Sequence, residues 1–433
     1  MKLPVVVSLV VAVLVLAACG HDQGRQTDAA VAMSGPCAMA LAPHQGTGAI
    51  DPGITSAQQL ARGAVKPADA FTELGHRFVA KARASHLPAY YAMAEQAALC
   101  AESRSPGHPQ ALLLRGHVLH QLHRFKEAEQ LARLVVEQRG SFLDHGLLGD
   151  VLLEQGRVEE AGAAYQKMLD LKPYYHSYTR AAHFRWLKGD LPGALQLIQM
   201  AVRAASPRDP ESVAWAYSRQ AAYELQAGRP EQALNASEAA LRYQPEYPAA
   251  LLIRARTLLS AGKPIDAVRA LRSVSPAGSL PEHDWALIEA LRDSGDQEAA
   301  RQIEDRLHQT GATADPRTFA LYLATRRERI DEAVELARKE LLSRSDVFTF
   351  DALAWSLAAA GRTAEAAEAM EQALSEGTKD ARLFYHAGVI ASARGAHAEA
   401  ARWLKQALAM PQMLFPSERE HAARQLEALK RPA

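Results

Sequence analysis

The six-residue pattern Gly-x-x-x-(Glu/Asp/Gln)-Ala, as in Gly156-Arg157-Val158-Glu159-Glu160-Ala161, returns along most of this chain at a nearly constant interval. Its anchors are His123, Gly156, Gly189, Gly228, Gly262, Gly295, Glu328, Gly361 and Gly395. Their spacings are 33, 33, 39, 34, 33, 33, 33 and 34 residues, a mean of 34. A fixed period of this length demands a stack of like units, each burying its apolar edge on the next. Between anchors, apolar residues recur at three and four, with no alternating run and no Asn-Gly hairpin turn, so each unit reads as a pair of helices. A small residue stands seven positions before most anchors (Gly116, Gly149, Ala182, Ala221, Ala255, Ala354, Gly388), where the two helices must approach closely. Five positions after every anchor stands an alanine: Ala128, Ala161, Ala194, Ala233, Ala267, Ala300, Ala333, Ala366 and Ala400. A larger side chain there would push the helices apart. The anchor glycine supplies the tight turn between helices. Pro173, Pro207 and Pro245 end second helices, because proline cannot continue the hydrogen-bond ladder. The interval of 39 marks an insertion around Ser206–Pro210, expected as a bend in the array.

Together these residues resemble the tetratricopeptide repeat family, over residues 109–413. The resemblance implies an all-α fold: a right-handed superhelical solenoid of about nine helix-turn-helix units with helical caps. Residues 53–108 contain Leu74-Gly75, which matches the family's Leu-Gly, and are expected to form a degenerate N-terminal repeat or cap. Residues 414–433 are expected to form a C-terminal cap helix, with its charges on an outer face as solubility requires.

The N-terminus has one early charge, Lys2, then a 14-residue apolar run, Val5 to Ala18. That is too short for a bilayer span and suits a signal peptide. The run closes on Leu16-Ala17-Ala18-Cys19, which resembles the lipobox of bacterial lipoproteins. The resemblance implies removal of residues 1–18 and acylation of Cys19. Gly20 in place of an Asp favours the outer over the inner membrane under the enterobacterial sorting rule. The chain is then expected to be lipid-anchored and periplasm-facing, with two or three acyl chains holding it firmly where one would not. Residues 19–52 carry scattered Gly, Pro and polar residues without a period, and are expected to be a flexible tether. Cys37 and Cys100 remain after lipidation; in an oxidising compartment an even pair suggests a disulfide.

Charge is balanced, 49 Lys+Arg against 49 Asp+Glu, so the basic excess of a general nucleic-acid binder is missing. There is no Gly-x-x-x-x-Gly-Lys-(Ser/Thr) loop, Gly-x-Ser-x-Gly elbow, His-Glu-x-x-His or dinucleotide fingerprint, and no enzyme activity or cofactor is expected. What remains is the concave surface. In this family, side chains at the second, fifth, ninth and twelfth positions of each unit line it. On that basis the groove-binding candidates are His117, His120, Asp150, His176, His183, Trp186, Trp215, Arg256, Glu289, Tyr322, Asp351, Trp355 and Tyr385. Aromatics and arginines are the usual binding anchors. The expected role is a scaffold that takes an extended segment of another envelope protein. The alternative is a carbohydrate- or ligand-binding lipoprotein, in which Trp186, Trp215, Tyr322, Trp355 and Tyr385 stack on sugar rings; a coherent aromatic track would favour it. His117, Asp150 and His183 occupy equivalent places in three successive units, about 10 Å apart from helix spacing, too far for one zinc site. No metal is expected. The carboxylate clamp known in this family needs Asn in a first helix, and the one Asn, Asn235, falls in a second helix.

Overall fold

The computed structural model describes residues 35–85, 87–274 and 278–430; the leader, Cys19 and the start of the tether lie outside the described residues. The described chain is helical throughout. It opens with α1 (Gly35–Ala40), α2 (Asp51–Arg62), α3 (Pro67–Ser85) and α4 (Ala89–Arg104). Helix pairs follow: α5 (Pro109–Gln121) with α6 (Phe125–Gln138), α7 (Phe142–Glu154) with α8 (Val158–Leu171), and α9 (Tyr175–Leu187) with α10 (Leu191–Ala204). Next come α11 (Pro210–Gln226) with α12 (Pro230–Tyr243), α13 (Pro248–Ser260) with α14 (Pro264–Arg272), and α15 (Pro281–Asp293) with α16 (Gln297–Ala314). The array continues through α17 (Pro316–Arg326) with α18 (Ile330–Leu341), α19 (Val347–Ala359) with α20 (Thr363–Ala373), and α21 (Ala381–Ala393) with α22 (His397–Leu408). A short 3-10 turn, Pro411–Met413, leads into α23 (Pro416–Ala428). No described helix is long and apolar enough to cross a membrane.

The periodic residues do what their size requires. All nine alanines five places after the anchors are 0 % exposed, at the crossing of paired helices. A Cβ on Gly116 or Gly149 would run into Leu147 or Tyr165, so the smallness of those positions is a packing requirement. The seven anchor glycines adopt left-handed backbone, φ between 69° and 88°. The two departures are handled differently. His123 takes the left-handed conformation itself (φ 57°), whereas at Glu328 the flanking Arg327 and Arg329 take it (φ 56° and 46°).

The insertion before Gly228 is taken up partly within a helix. It lengthens α11 to 17 residues, where most first helices have 13, roughly one extra turn, and Asp209 caps the new start by accepting from the Ser212 N–H (3.3 Å). The added turn brings Glu211 within 3.9 Å of Arg83 on α3 and 3.3 Å of the Tyr247 hydroxyl.

The flexible tether expected over residues 19–52 is corrected for its described part. Residues 35–52 are held in the fold: α1 packs on α4 through the Cys37–Cys100 disulfide. The Gln58 amide donates to the carbonyls of Ala40 (3.0 Å) and Ala42 (2.7 Å), and Arg62 donates to that of Leu41 (2.7 Å). Asp51 binds Lys81 (2.8 Å) and His44 (2.6 Å).

The solenoid coils tightly enough for successive superhelical turns to touch. Ser345 N–H donates to the Glu154 carbonyl (3.0 Å), the Thr378 hydroxyl to that of Leu187 (2.5 Å), and the Gln412 amide to that of Leu225 (3.0 Å). Lys188 pairs with Glu376 and Arg344 with Glu154 across the same seam. The hydrogen-bonded partners lie 187 to 191 residues apart, between five and six repeat periods. Gly156 and Gly189 therefore have a second reason to be glycine: a Cβ on either would strike the carbonyl oxygen of Ser345 or Gly377.

Candidate functional site

The first helix of each pair turns its lining positions inward, and the concave face divides into two halves of different character. The first half is built on α5, α7, α9 and α11. Asp150 is its electrostatic centre. Its carboxylate accepts from Arg180 (2.7 and 2.5 Å) and from the Tyr165 hydroxyl (3.0 Å). Burial works against the charged carboxylate, but the Arg180 guanidinium outweighs it and holds the pKa below the ordinary value. Around this pair stand His117, His120, His176 and His183, all half-buried. Burial, reinforced by neighbouring guanidinium groups, pushes His117 down to about 3 and His176 and His183 to about 4, and lowers His120 as well. All four are neutral at pH 7, each offering one donor and one acceptor. The half thus presents a neutral polar wall around one satisfied ion pair, a surface suited to reading peptide amides and polar side chains.

Trp186 belongs to the seam between superhelical turns. Its ring stacks on His183 (5.4 Å) and on Phe348 of α19 (5.6 Å), and its Nε1 donates to Gln226 (2.6 Å). Trp215 is half-buried and packs into the cores beside α9 and α12. A small cleft of about 110 Å³ at the seam is lined by Glu154, His183, Asp346, Phe348 and Glu376.

The second half, on α13, α15, α17, α19 and α21, corrects six of the groove candidates. Arg256, Glu289, Tyr322, Asp351, Trp355 and Tyr385 are all buried. Arg256 pairs with Glu282 (2.6 Å), Tyr322 donates to Glu304, and Asp351 meets the buried His386 (2.8 Å). Trp355 stacks on that imidazole (4.1 Å) and donates to Thr325 (2.9 Å). Glu289 and Tyr385 bind Ser417 and His421 of the chain's own C-terminal segment. Tyr322, Asp351 and Trp355 are covered by neighbouring helices of the array; for Arg256, Glu289 and Tyr385 the physical reason is topological. The segment after α22 folds back into the groove, and its contact with Glu289 spans more than a hundred positions, which no periodic signal announces. Most charges of the cap helix do face outward, as with Glu420, Arg424 and Glu427, but Glu418 departs and is buried against Arg382 (2.8 Å). The aromatics among the described residues accordingly form no continuous exposed track. Among the described residues no group of three or more His, Cys, Asp or Glu side chains is placed to hold a metal ion.

Several inward residues escaped the sequence reading. Glu282 and Arg382 occupy the second lining position and Trp285 the fifth, so the same counting applied to every unit finds them. Arg180 and Arg219 stand one place past the fifth and escape that count; the packing of neighbouring units brings them to Asp150 and the Trp186 ring.

Two profiles of the tetratricopeptide repeat family match the chain, one over residues 224–283 and the other over 145–176 and 352–412. No curated protein matches the sequence. Among solved structures, the human IFIT1 dimer with m7Gppp-AAAA aligns with a TM-score of 0.50 at 15% identity, covering 76% of this chain and 77% of that one. Pseudomonas aeruginosa pilF aligns at 0.40 and 19% identity, over 46% of this chain and 90% of that one. TTC0263, a thermophilic TPR protein of Thermus thermophilus, aligns at 0.39 and 18% identity, over 44% and 99%. At such identities the likeness is one of fold: an all-helical solenoid.

Proposed function

We propose that this solenoid of tetratricopeptide repeats is a lipid-anchored, periplasm-facing scaffold of the bacterial envelope, on the outer membrane, which binds an extended segment of another envelope protein. Proteins of this repeat class bind protein partners through such surfaces. The observation that carries the reading is the half-buried polar wall of α5, α7 and α9, where neutral imidazoles surround the Asp150–Arg180 pair. Such a surface recognises by hydrogen bonding. The Leu16-Ala17-Ala18-Cys19 sequence supports the anchor, and Gly20 the outer membrane. The carbohydrate alternative is weakened because Trp186, Tyr322, Trp355 and Tyr385 are engaged within the protein.

Metabolic labelling with an alkyne palmitate, followed by membrane separation, tests the anchor. Label on the wild type that is lost in Cys19→Ala is expected; equal label on both refutes acylation at that residue. Cross-linking in intact cells tests the groove. A partner protein should be recovered with wild type and be depleted at least fivefold with His117→Glu/His176→Glu. Equal recovery from both would place binding elsewhere.

A further inference from the structure

The second half of the concave surface is built as a recognition site, and the segment filling it is joined to α22 by residues 409–415 alone. Phe415 lies between two guanidinium groups, 4.6 Å from that of Arg256 and 5.2 Å from that of Arg382, with the Trp285 ring 5.2 Å away. Arg256 also donates to the Met413 carbonyl (3.2 Å). Glu289 accepts from the Ser417 N–H (3.2 Å) and hydroxyl (2.7 Å). Glu418 accepts from Arg382 (2.8 Å), and the Tyr385 hydroxyl hydrogen-bonds His421 (2.6 Å). Every groove residue in these contacts occupies a lining position of its own first helix, so the groove reads this segment side chain by side chain.

Two features mark the contact between groove and segment. One buried ionic pair, Arg382 with Glu418, crosses the boundary. Buried ionic pairs are better at fixing register than at adding stability. Moreover, the Nε1 of Trp285, in a fully buried side chain beside Phe415, has no acceptor among the described residues. The site therefore offers one more donor than its present occupant uses.

We propose that this half is a second binding site, specific for the first turn of a helix that carries an aromatic residue, Pro, a hydroxyl residue and an acid in succession, as Phe415-Pro416-Ser417-Glu418 does. The chain's own C-terminal segment is its internal competitor. The partner is a protein segment of the same chemistry that also brings an acceptor to Trp285. Charge complementarity dictates these preferences: the arginines take the ring and the acid, and Glu289 takes the N–H and hydroxyl at the helix start. The segment caps itself, since Glu418 accepts from the Phe415 N–H (2.8 Å), and so carries its helical start with it into a free peptide. A short connection gives the internal segment an effective concentration in the millimolar range, which a free peptide must overcome. This site is separate from the polar wall of α5, α7 and α9.

The test is fluorescence anisotropy of a labelled peptide spanning residues 409–430, titrated with the full chain and with the full chain carrying Phe415→Ala and Glu418→Ala. At least tenfold tighter binding to the variant is expected, with the gain removed by adding Glu289→Ala. Equal, weak binding to wild type and a folded variant overturns the proposal. Should the variant fail to fold, hydrogen exchange on the wild type decides: amides of α23 exchanging at least tenfold faster than those of α15 and α21 support a displaceable occupant, and exchange in step with them overturns it. A dimer of the variant or the wild type with exchanged C-terminal segments would make a second copy the occupant and also overturn it.

Discussion

The histidines of the inner wall set how this protein responds to acid. An unfolded histidine titrates near 6.5, whereas burial holds His117 at about 3 and His176 and His183 at about 4 in the folded chain. Between those values the unfolded chain takes up protons that the folded chain refuses, so stability is complete above pH 6.5 and declines as the pH falls toward 4. Two carboxylates, Asp51 and Asp150, act lower. Hydrogen bonds from Lys81 and then His44 hold Asp51 at about 2, and Asp150 lies below its ordinary value, so what they contribute is lost only below about pH 4. The expected result is a urea midpoint that drops steadily from pH 6.5 to 4. In His117→Gln/His176→Gln that part of the profile flattens while the loss below pH 4 persists. A wild-type midpoint indifferent to pH over that range would contradict the assignment. The inward orientation of these residues was legible from the repeat register alone; their lowered titration was not, because it depends first on burial and then on Arg180, Arg219 and Arg83, all of which the superhelix sets.

At the scale of elements, the regular helices were legible and the irregular ones were not, for one reason. A pair such as α7 and α8 announces itself through Gly149, Gly156 and Ala161, each at a place where no larger residue fits. Helix α1 has only six residues, shorter than two helical turns, and sits among Gly and Pro, so local sequence reads as loop. What fixes it is distant: Cys100, Gln58 and Arg62. The cross-link closes a separation of 63 residues, which stabilises by about 4 kcal/mol in the chain-entropy account. Cys37→Ser/Cys100→Ser should therefore lose up to about 4 kcal/mol in the unfolding step that includes α4. The amides of residues 37–42 should become rapidly exchanging while those of α7 to α10 keep their protection. Unchanged protection of residues 37–42 in the double variant would show that Gln58 and Arg62 suffice without the sulfur bridge.

At the scale of the whole molecule, the seam between superhelical turns decides whether the two halves of the groove keep a fixed relation. A solenoid stabilised only by neighbouring units would flex along its length. Here the loops at 345, 376–379 and 412 bind the edges of α7, α9 and α11, converting a one-dimensional stack into a closed coil. The seam holds Phe348 against Trp186, and so couples α19 of the self-occupied half to α9 of the polar wall. Gly156 and Gly189 allow a clean test because Gly262 is their control. All three adopt left-handed backbone (φ 71°, 75° and 69°), but a Cβ meets the opposite turn at the first two and has nothing within 4 Å at Gly262. Gly262→Ala should therefore cost only the conformational term, about 1 kcal/mol, and leave the shape unchanged. Gly156→Ala/Gly189→Ala adds a clash with two backbone carbonyls that cannot move without parting the seam. The double variant should keep its helical circular dichroism and show a larger radius of gyration in small-angle scattering, with faster exchange at the Ser345 amide, which donates across the seam to Glu154. If its scattering profile matches those of the wild type and Gly262→Ala, the seam yields without opening. The coil is then held shut by the C-terminal segment, through Gln412 on Leu225 and Ser417 on Glu289.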